Sequence, residues 1–254
     1  MRIRIGRRLR RRIGQGAILL AVALLAIRVW PRPPLRDAIA ASTEVWSADG
    51  QLLRVTLASD DQYRLWVPLE AMSPALIDAF LLKEDRWFSW HPGVNPVALA
   101  RAALRTYGHG DRQGGSTITM QLARLRGGLR TRTPLGKLRQ AVAAIWLELR
   151  YSKHDLLEAY LNVVPLGGNV EGVGAASRLY FGKPPDRLAL GEALTLAVIP
   201  QHPANRAGRA GSDAGLDAAR AQLAGQWRRE RLGRDAGPGP VSYTHLTLPT
   251  IYSV

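Results

Sequence analysis

The chain has 254 residues, an apolar fraction of 46% and no cysteine. There is enough apolar material for a folded core, and disulfides, thiolate metal sites and a cysteine nucleophile are excluded. The formal net charge of +15 is unevenly placed: residues 1–36 hold ten arginines and no acid, while the rest carries 25 basic and 20 acidic residues, so the extreme basicity belongs to the N-terminus and not to the folded part.

Seven arginines precede an apolar run from Ile13 to Trp30, interrupted by Gln15, Arg28 and glycines. A helix of that length spans roughly 27 Å, enough for a bilayer core. The pattern predicts a cytoplasmic basic segment over 1–12 and a transmembrane helix over 13–30, with Arg28 snorkelling and Trp30 at the interface. A cleavable signal peptide is the rival, since Ala38-Ile39-Ala40 offers a cleavage site, but three prolines separate it from the apolar run. A nucleic-acid-binding arm is a third reading, which the apolar run does not suit.

Residues 31–41 read as a stiff Pro-rich linker. EVWSADGQLLRVTL alternates around Asp49-Gly50 and predicts a β-hairpin, with a further short strand over Tyr63–Val67. Helices follow. Ser73-Pro74 opens one over 74–83, Asn95-Pro96 another through Arg105, and Ser116 or Thr117 caps one running to about Arg126. Residues 135–150 form an amphipathic helix with Leu138, Val142, Ile145 and Leu149 on one face. Ser152 and Asp155 stand at capping-box spacing, Gly182 stops the helix in AASRLYFGK, and Pro200 ends an apolar helix in DRLALGEALTLAVIP. A last helix is expected over 214–232, and residues 236–254 read as a truncated or non-native tail, with an edge strand of a following domain as the alternative.

Three features can carry chemistry. Glu84 ends a helix beside Trp87, Phe88 and Trp90; apolar neighbours strip its water, raise its pKa and suit it to proton transfer, although a surface helix end would look the same. Asp85 points elsewhere and is placed to hold structure or to bind an arginine. His91 before Pro-Gly reads as a turn-stabilising partner in preference to a base or ligand, and no metal-ligand spacing accompanies it. Two glycines before a Ser/Thr cap in GGSTITMQLAR leave free amides at a helix N-terminus, a weak anion-site signal. Between Asp111 and Glu148 there is no acid but seven bases: Arg112, Arg124, Arg126, Arg130, Arg132, Lys137 and Arg139. That run suits a phosphate or pyrophosphate, and equally a solvated stripe or a patch on anionic lipid. Neither Ser-x-x-Lys nor Gly-x-Ser-x-Gly occurs, so acyl transfer of those types, transpeptidation included, is not expected.

In order, EDRWFSWHPGVNP, GGSTITMQLAR, LGKLRQ, LELRYSKHDLLEAYLN and AASRLYFGK followed by EALTLAVIPQHP resemble the peptidoglycan glycosyltransferase (family 51) domain of class A penicillin-binding proteins. Met120 and Gln140 point to its 1C branch. The resemblance covers most of the chain and places the glycosyltransferase domain at 42–235. It implies a mainly α, lysozyme-like fold with a small N-terminal β-hairpin region and one N-terminal transmembrane helix, anchored in the bacterial inner membrane with the domain on the periplasmic side.

The activity it implies is polymerisation of lipid II, with inversion at the anomeric carbon and release of undecaprenyl pyrophosphate. By motif position Glu84 is then the general base. Asp85, Phe88, His91, Ser116, Thr117, Gln121 and Gln140 support the active site, and Arg124 and Lys137 bind pyrophosphate. The implied partners are lipid II, the nascent glycan strand, the inner membrane and other cell-wall synthesis proteins, but no nucleic acid. No cofactor is required, although the resemblance admits a divalent cation, Mg or Mn. The third motif departs from the family's Arg-Lys-x-x-Glu: Gln140 stands where a second acid is usual, which weakens the case for a held metal. Glu148 lies near the Lys137 face and is an outside candidate for that acid. A lysozyme-like glycan hydrolase and a non-catalytic lipid II-binding scaffold are the alternatives.

Overall fold

The computed structural model describes residues 7–109, 115–129, 133–201 and 214–232, with the backbone alone for 7–13, 17, 103–109 and 231–232. Arg112, Arg130, Arg132 and the tail expected over 236–254 lie outside the described residues.

The protein is mainly helical, with one short hairpin. Strands β1 (Glu44–Trp46) and β2 (Leu52–Val55) pair antiparallel around Gly50, with Glu44 opposite Val55 and a register shift at Val45/Trp46. The strand expected over Tyr63–Val67 is absent apart from one isolated bridge, Tyr63 to Val170. Its backbone groups are satisfied otherwise. Tyr63 N–H donates to Asn169 and its carbonyl accepts from Glu171, while the Asn162 amide takes both Val67 N–H and Val67 C=O at 2.8 Å. A side chain thus replaces a ladder partner.

The helices are α1 (Arg7–Val29), α2 (Pro74–Glu84), α3 (Pro96–His109), α4 (Ile118–Gly127), α5 (Pro134–Arg150), α6 (Lys153–Val163), α7 (Val173–Phe181), α8 (Leu190–Val198) and α9 (Ala214–Leu232). Their ends follow the local chemistry. Ser73 caps α2 by accepting from Leu76 N–H, and of the two cap candidates for α4 it is Thr117 that accepts from Met120 N–H. Ser152 and Asp155 form the capping box of α6, and Gly128 and Gly182 close α4 and α7 in left-handed conformations.

The core lies where α2, α6 and α8 meet. Leu76, Phe80, Leu156, Tyr160, Leu161, Leu194 and Leu196 are completely buried there, with Phe80 edge-on to Tyr160 at 6.4 Å. α4 packs on both α5 and α6, which brings the caps of α4 and the C-terminal end of α2 to one side of the core.

The amphipathic helix expected over 135–150 forms as α5, and its apolar face lies outward. Leu138 and Val142 are each 60% exposed, and the buried residues are Gly136, Gln140 and Ala144. α5 meets α4 through small and polar side chains, and its oily stripe is left outside, next to α1. The helix expected over 13–30 forms within α1, but among the described residues no helix is long and apolar enough to cross a membrane.

Candidate active site

Glu84 and Asp85 end α2, and their side chains part company. Glu84 is half-buried at the edge of a groove of about 790 Å³ that also borders Trp90, Asn95, Ser116 and Thr117. Its Oε2 accepts from Gln121 Nε2 at 2.8 Å, and Gln201 Nε2 reaches Oε1 at 3.5 Å. Gln121 is in turn oriented by the Tyr160 hydroxyl, which donates to its Oε1 at 3.4 Å. Burial raises the Glu84 pKa, against the pull of the Gln121 hydrogen bond and the Lys83 charge. Such a carboxylate holds a proton better than a solvated one and can exchange it with a hydroxyl in the groove.

Asp85 is the anchor. It is buried, both oxygens lie 3.0 Å from His91 Nε2, and one also accepts from Ile118 N–H at the start of α4. Of the two roles expected of it, holding structure or binding an arginine, Asp85 has the first, and the adjacent Arg86 turns outward to Glu230 at 2.9 Å. One carboxylate therefore ties the end of α2 to the His91 turn and to the α4 N-terminus. Phe88 is buried edge-on to His91, with the Lys153 ammonium 4.3 Å above its ring. Trp87 and Trp90 are 54% and 84% exposed and line the groove.

The His91 turn closes through Gly93, where φ is +88° and an added Cβ would lie 2.8 Å from the Ala144 carbonyl oxygen. Thr117 Oγ1 donates to the Gly93 carbonyl at 2.6 Å. Gly93→Ala is therefore expected to lower stability by about 2–4 kcal/mol, through left-handed strain and a backbone clash. Urea unfolding checks this, and an unchanged midpoint would show that the turn yields freely.

Across the groove wall, Lys137 Nζ donates to Ser116 Oγ and, at 2.9 Å, to Gln140 Oε1. Burial and the neighbouring Arg124 charge lower the Lys137 pKa. Among the described residues neither Arg124 nor Lys137 has a carboxylate partner. Two close cations without a counterion make a site for a multiply charged anion. Arg126 and Arg139 of the same basic run are exposed at the surface.

Glu148, the outside candidate for the second acid, is engaged in contacts of its own. It accepts from Thr119 at 2.6 Å and from Lys153 at 2.7 Å, inside the packing under Gly93. A divalent cation does not fit the third motif, because the Lys137 ammonium already occupies the Gln140 oxygen. Elsewhere Glu70, His154 and Glu158 bring ligand atoms within 4.8 Å of one another. Both Glu158 oxygens already accept from Trp66 Nε1 and Leu69 N–H, and none of the three lines the groove.

Sequence reasoning singled out Glu84, Asp85, Phe88, His91, Ser116, Thr117, Gln121, Arg124, Lys137 and Gln140, and the fold gathers them at the facing ends of α2, α4 and α5. It missed Tyr160, Lys153 and Gln201. A buried phenol in the apolar run LLEAYLN needs a partner, and that was the available signal for Tyr160.

Residues 49–225 match the Transglycosylase family. Penicillin-binding protein 1C of Escherichia coli (strain K12) is 43% identical over 187 residues, which are 73% of this chain and 24% of that protein. Penicillin-binding protein 1A of Aquifex aeolicus (strain VF5) is 41% identical over 164 residues, 64% of this chain and 22% of that one. Penicillin-binding protein 1A of E. coli (strain K12) is 40% identical over 162 residues, 63% of this chain and 19% of that one. The chain thus spans a quarter or less of the length of these relatives.

Proposed function

The chain belongs to the Transglycosylase family, the glycosyltransferase unit of class A penicillin-binding proteins, and on that premise we propose that it polymerises lipid II into glycan strands. Glu84 accepts the proton of the acceptor 4-hydroxyl. The freed oxygen forms a bond to the anomeric carbon of the donor chain, the bond from that carbon to the lipid pyrophosphate breaks, and the configuration inverts. Arg124 and Lys137 take up the negative charge that grows on the departing pyrophosphate. The observation that carries this reading is the presence of a half-buried carboxylate of raised pKa together with two cations that have no carboxylate partner among the described residues.

The membrane enters the same proposal. A lipid-linked substrate has to be met at a bilayer, and α1 offers exposed Ile18, Leu19, Leu20, Leu25 and Val29 beside the outward apolar stripe of α5. We place these faces against the inner membrane, with the groove on the extracytoplasmic side.

Incubating the protein with labelled lipid II and separating the products tests the proposal. Long glycan strands with release of undecaprenyl pyrophosphate are expected. Cleavage of mature glycan would favour a hydrolase, and binding without turnover a scaffold. The rate also has a predicted pH limb: a general base works deprotonated, so turnover rises with pH through a midpoint above the ordinary glutamate range, following the raised Glu84 pKa. A limb at or below that range would remove Glu84 from the role.

A further inference from the structure

Gln140 is 1% exposed and uses both ends of its amide. Nε2 donates to the Met120 carbonyl of α4 at 2.6 Å, and Oε1 accepts from Lys137 Nζ at 2.9 Å. A carbonyl only accepts and an ammonium only donates, so chemistry alone fixes which end is which. A carboxylate at 140 could take the Lys137 proton donor but would set its other oxygen against the Met120 carbonyl oxygen, two acceptors face to face in a dry site.

We infer that Gln140 is a positioning residue for Lys137: a neutral strut that fixes the ammonium between α4 and Ser116 without cancelling its charge, leaving that charge for a diphosphate. This rests on the proposed function, since it names how the anion side of that site is kept cationic. Three observations support it. Lys137 and Gln140 stand three residues apart on one face of α5. Neither Lys137 nor Arg124 has a carboxylate partner among the described residues. The Lys137 pKa is lowered by burial and by Arg124, the penalty expected of a cation held without a counterion. A glutamate at 140 would restore a counterion at 137 and with it weaken the draw on an anion.

The test is titration of the full chain with inorganic pyrophosphate across pH, for wild type, Gln140→Glu and Gln140→Met, with lipid II turnover measured on each. Gln140→Glu is expected to bind pyrophosphate about tenfold or more weakly near neutrality, through the added counter-charge, and to regain affinity relative to wild type as the new carboxyl protonates. Gln140→Met keeps the volume and loses both hydrogen bonds, so an approximately three- to tenfold loss is expected with a pH-independent ratio to wild type. If Gln140→Glu binds as wild type does, or if its loss matches that of Gln140→Met at every pH, Gln140 is only a tie between α4 and α5. Should Gln140→Glu not fold, the methionine variant decides: wild-type affinity there overturns the inference. A wild-type chain that neither binds pyrophosphate nor turns over lipid II overturns the function itself, whereas turnover with an indifferent Gln140→Glu overturns the inference alone.

Discussion

Glu84→Gln is expected to remove lipid II polymerisation by roughly 10²- to 10⁴-fold, the usual contribution of a positioned general base, and at the same time to stabilise the protein. Glutamine has the same shape, sits between Gln121 and Gln201 and cannot take the acceptor proton. The gain in stability follows from linkage. The folded state raises the Glu84 pKa, so it binds that proton more tightly than the unfolded chain does. The stabilising effect is complete below the unfolded pKa and is lost as pH rises through the folded one, where a half-buried charge must be maintained. Glutamine removes that penalty. Thermal unfolding should show the variant above wild type at about pH 8 and level with it at about pH 4. A variant less stable at both pH values would mean that the carboxylate serves structure and not proton transfer.

Asp85→Ala has the largest expected effect on the fold. The Asp85 side chain is 4% exposed, and its removal strands Ile118 N–H at the start of α4. The His91 ring would also lose the one hydrogen-bond partner it has among the described residues, where its buried Nδ1 has none. Each orphaned buried polar group costs about 1–3 kcal/mol, giving a total loss of about 2–6 kcal/mol. Turnover should fall by at least about tenfold even where the variant is folded, since the end of α2 that carries Glu84 is then no longer tied to α4. Asp85→Asn keeps one acceptor and should lie between. Urea unfolding and a lipid II assay on the same preparations check both effects. Unchanged values for Asp85→Ala would dissolve the link between anchor and base.

Local chemistry was the legible part of this fold. The Ser73 cap, the capping box of Ser152 and Asp155, the Gly182 stop and the hairpin at Gly50 all depend on residues a few positions apart, and each stands where the residue types require. Hydrophobic periodicity marked the apolar face of α5 correctly but could not say what covers it. Small residues on the opposite face, with Ala144 against Met120 and Ala123, allowed α4 to approach there instead. The segment 63–67 has strand-like composition, yet its fate was set by Asn162, 95 residues beyond Val67. No short-range pattern carries that information.

The site divides in the same way. Glu84 beside aromatics was visible as an odd carboxylate, and motif order gave it Gln121 and Lys137 as neighbours. Packing supplied the rest: Tyr160 behind Gln121, and Lys153 with Thr119 around Glu148, which turns the outside candidate for a second acid into a structural ion pair. Gln140 was read as a missing acid. In the fold it is an amide whose donor is needed as much as its acceptor.

The most direct test of Glu84-driven polymerisation is a count, in one reaction on labelled lipid II, of new glycosidic bonds against undecaprenyl pyrophosphate released, with the configuration of each new bond read out. The account predicts one pyrophosphate per bond, inversion at every anomeric carbon, and loss of both signals together in folded Glu84→Gln. Pyrophosphate release without bond formation, retention of configuration, or equal turnover by Glu84→Gln would contradict it.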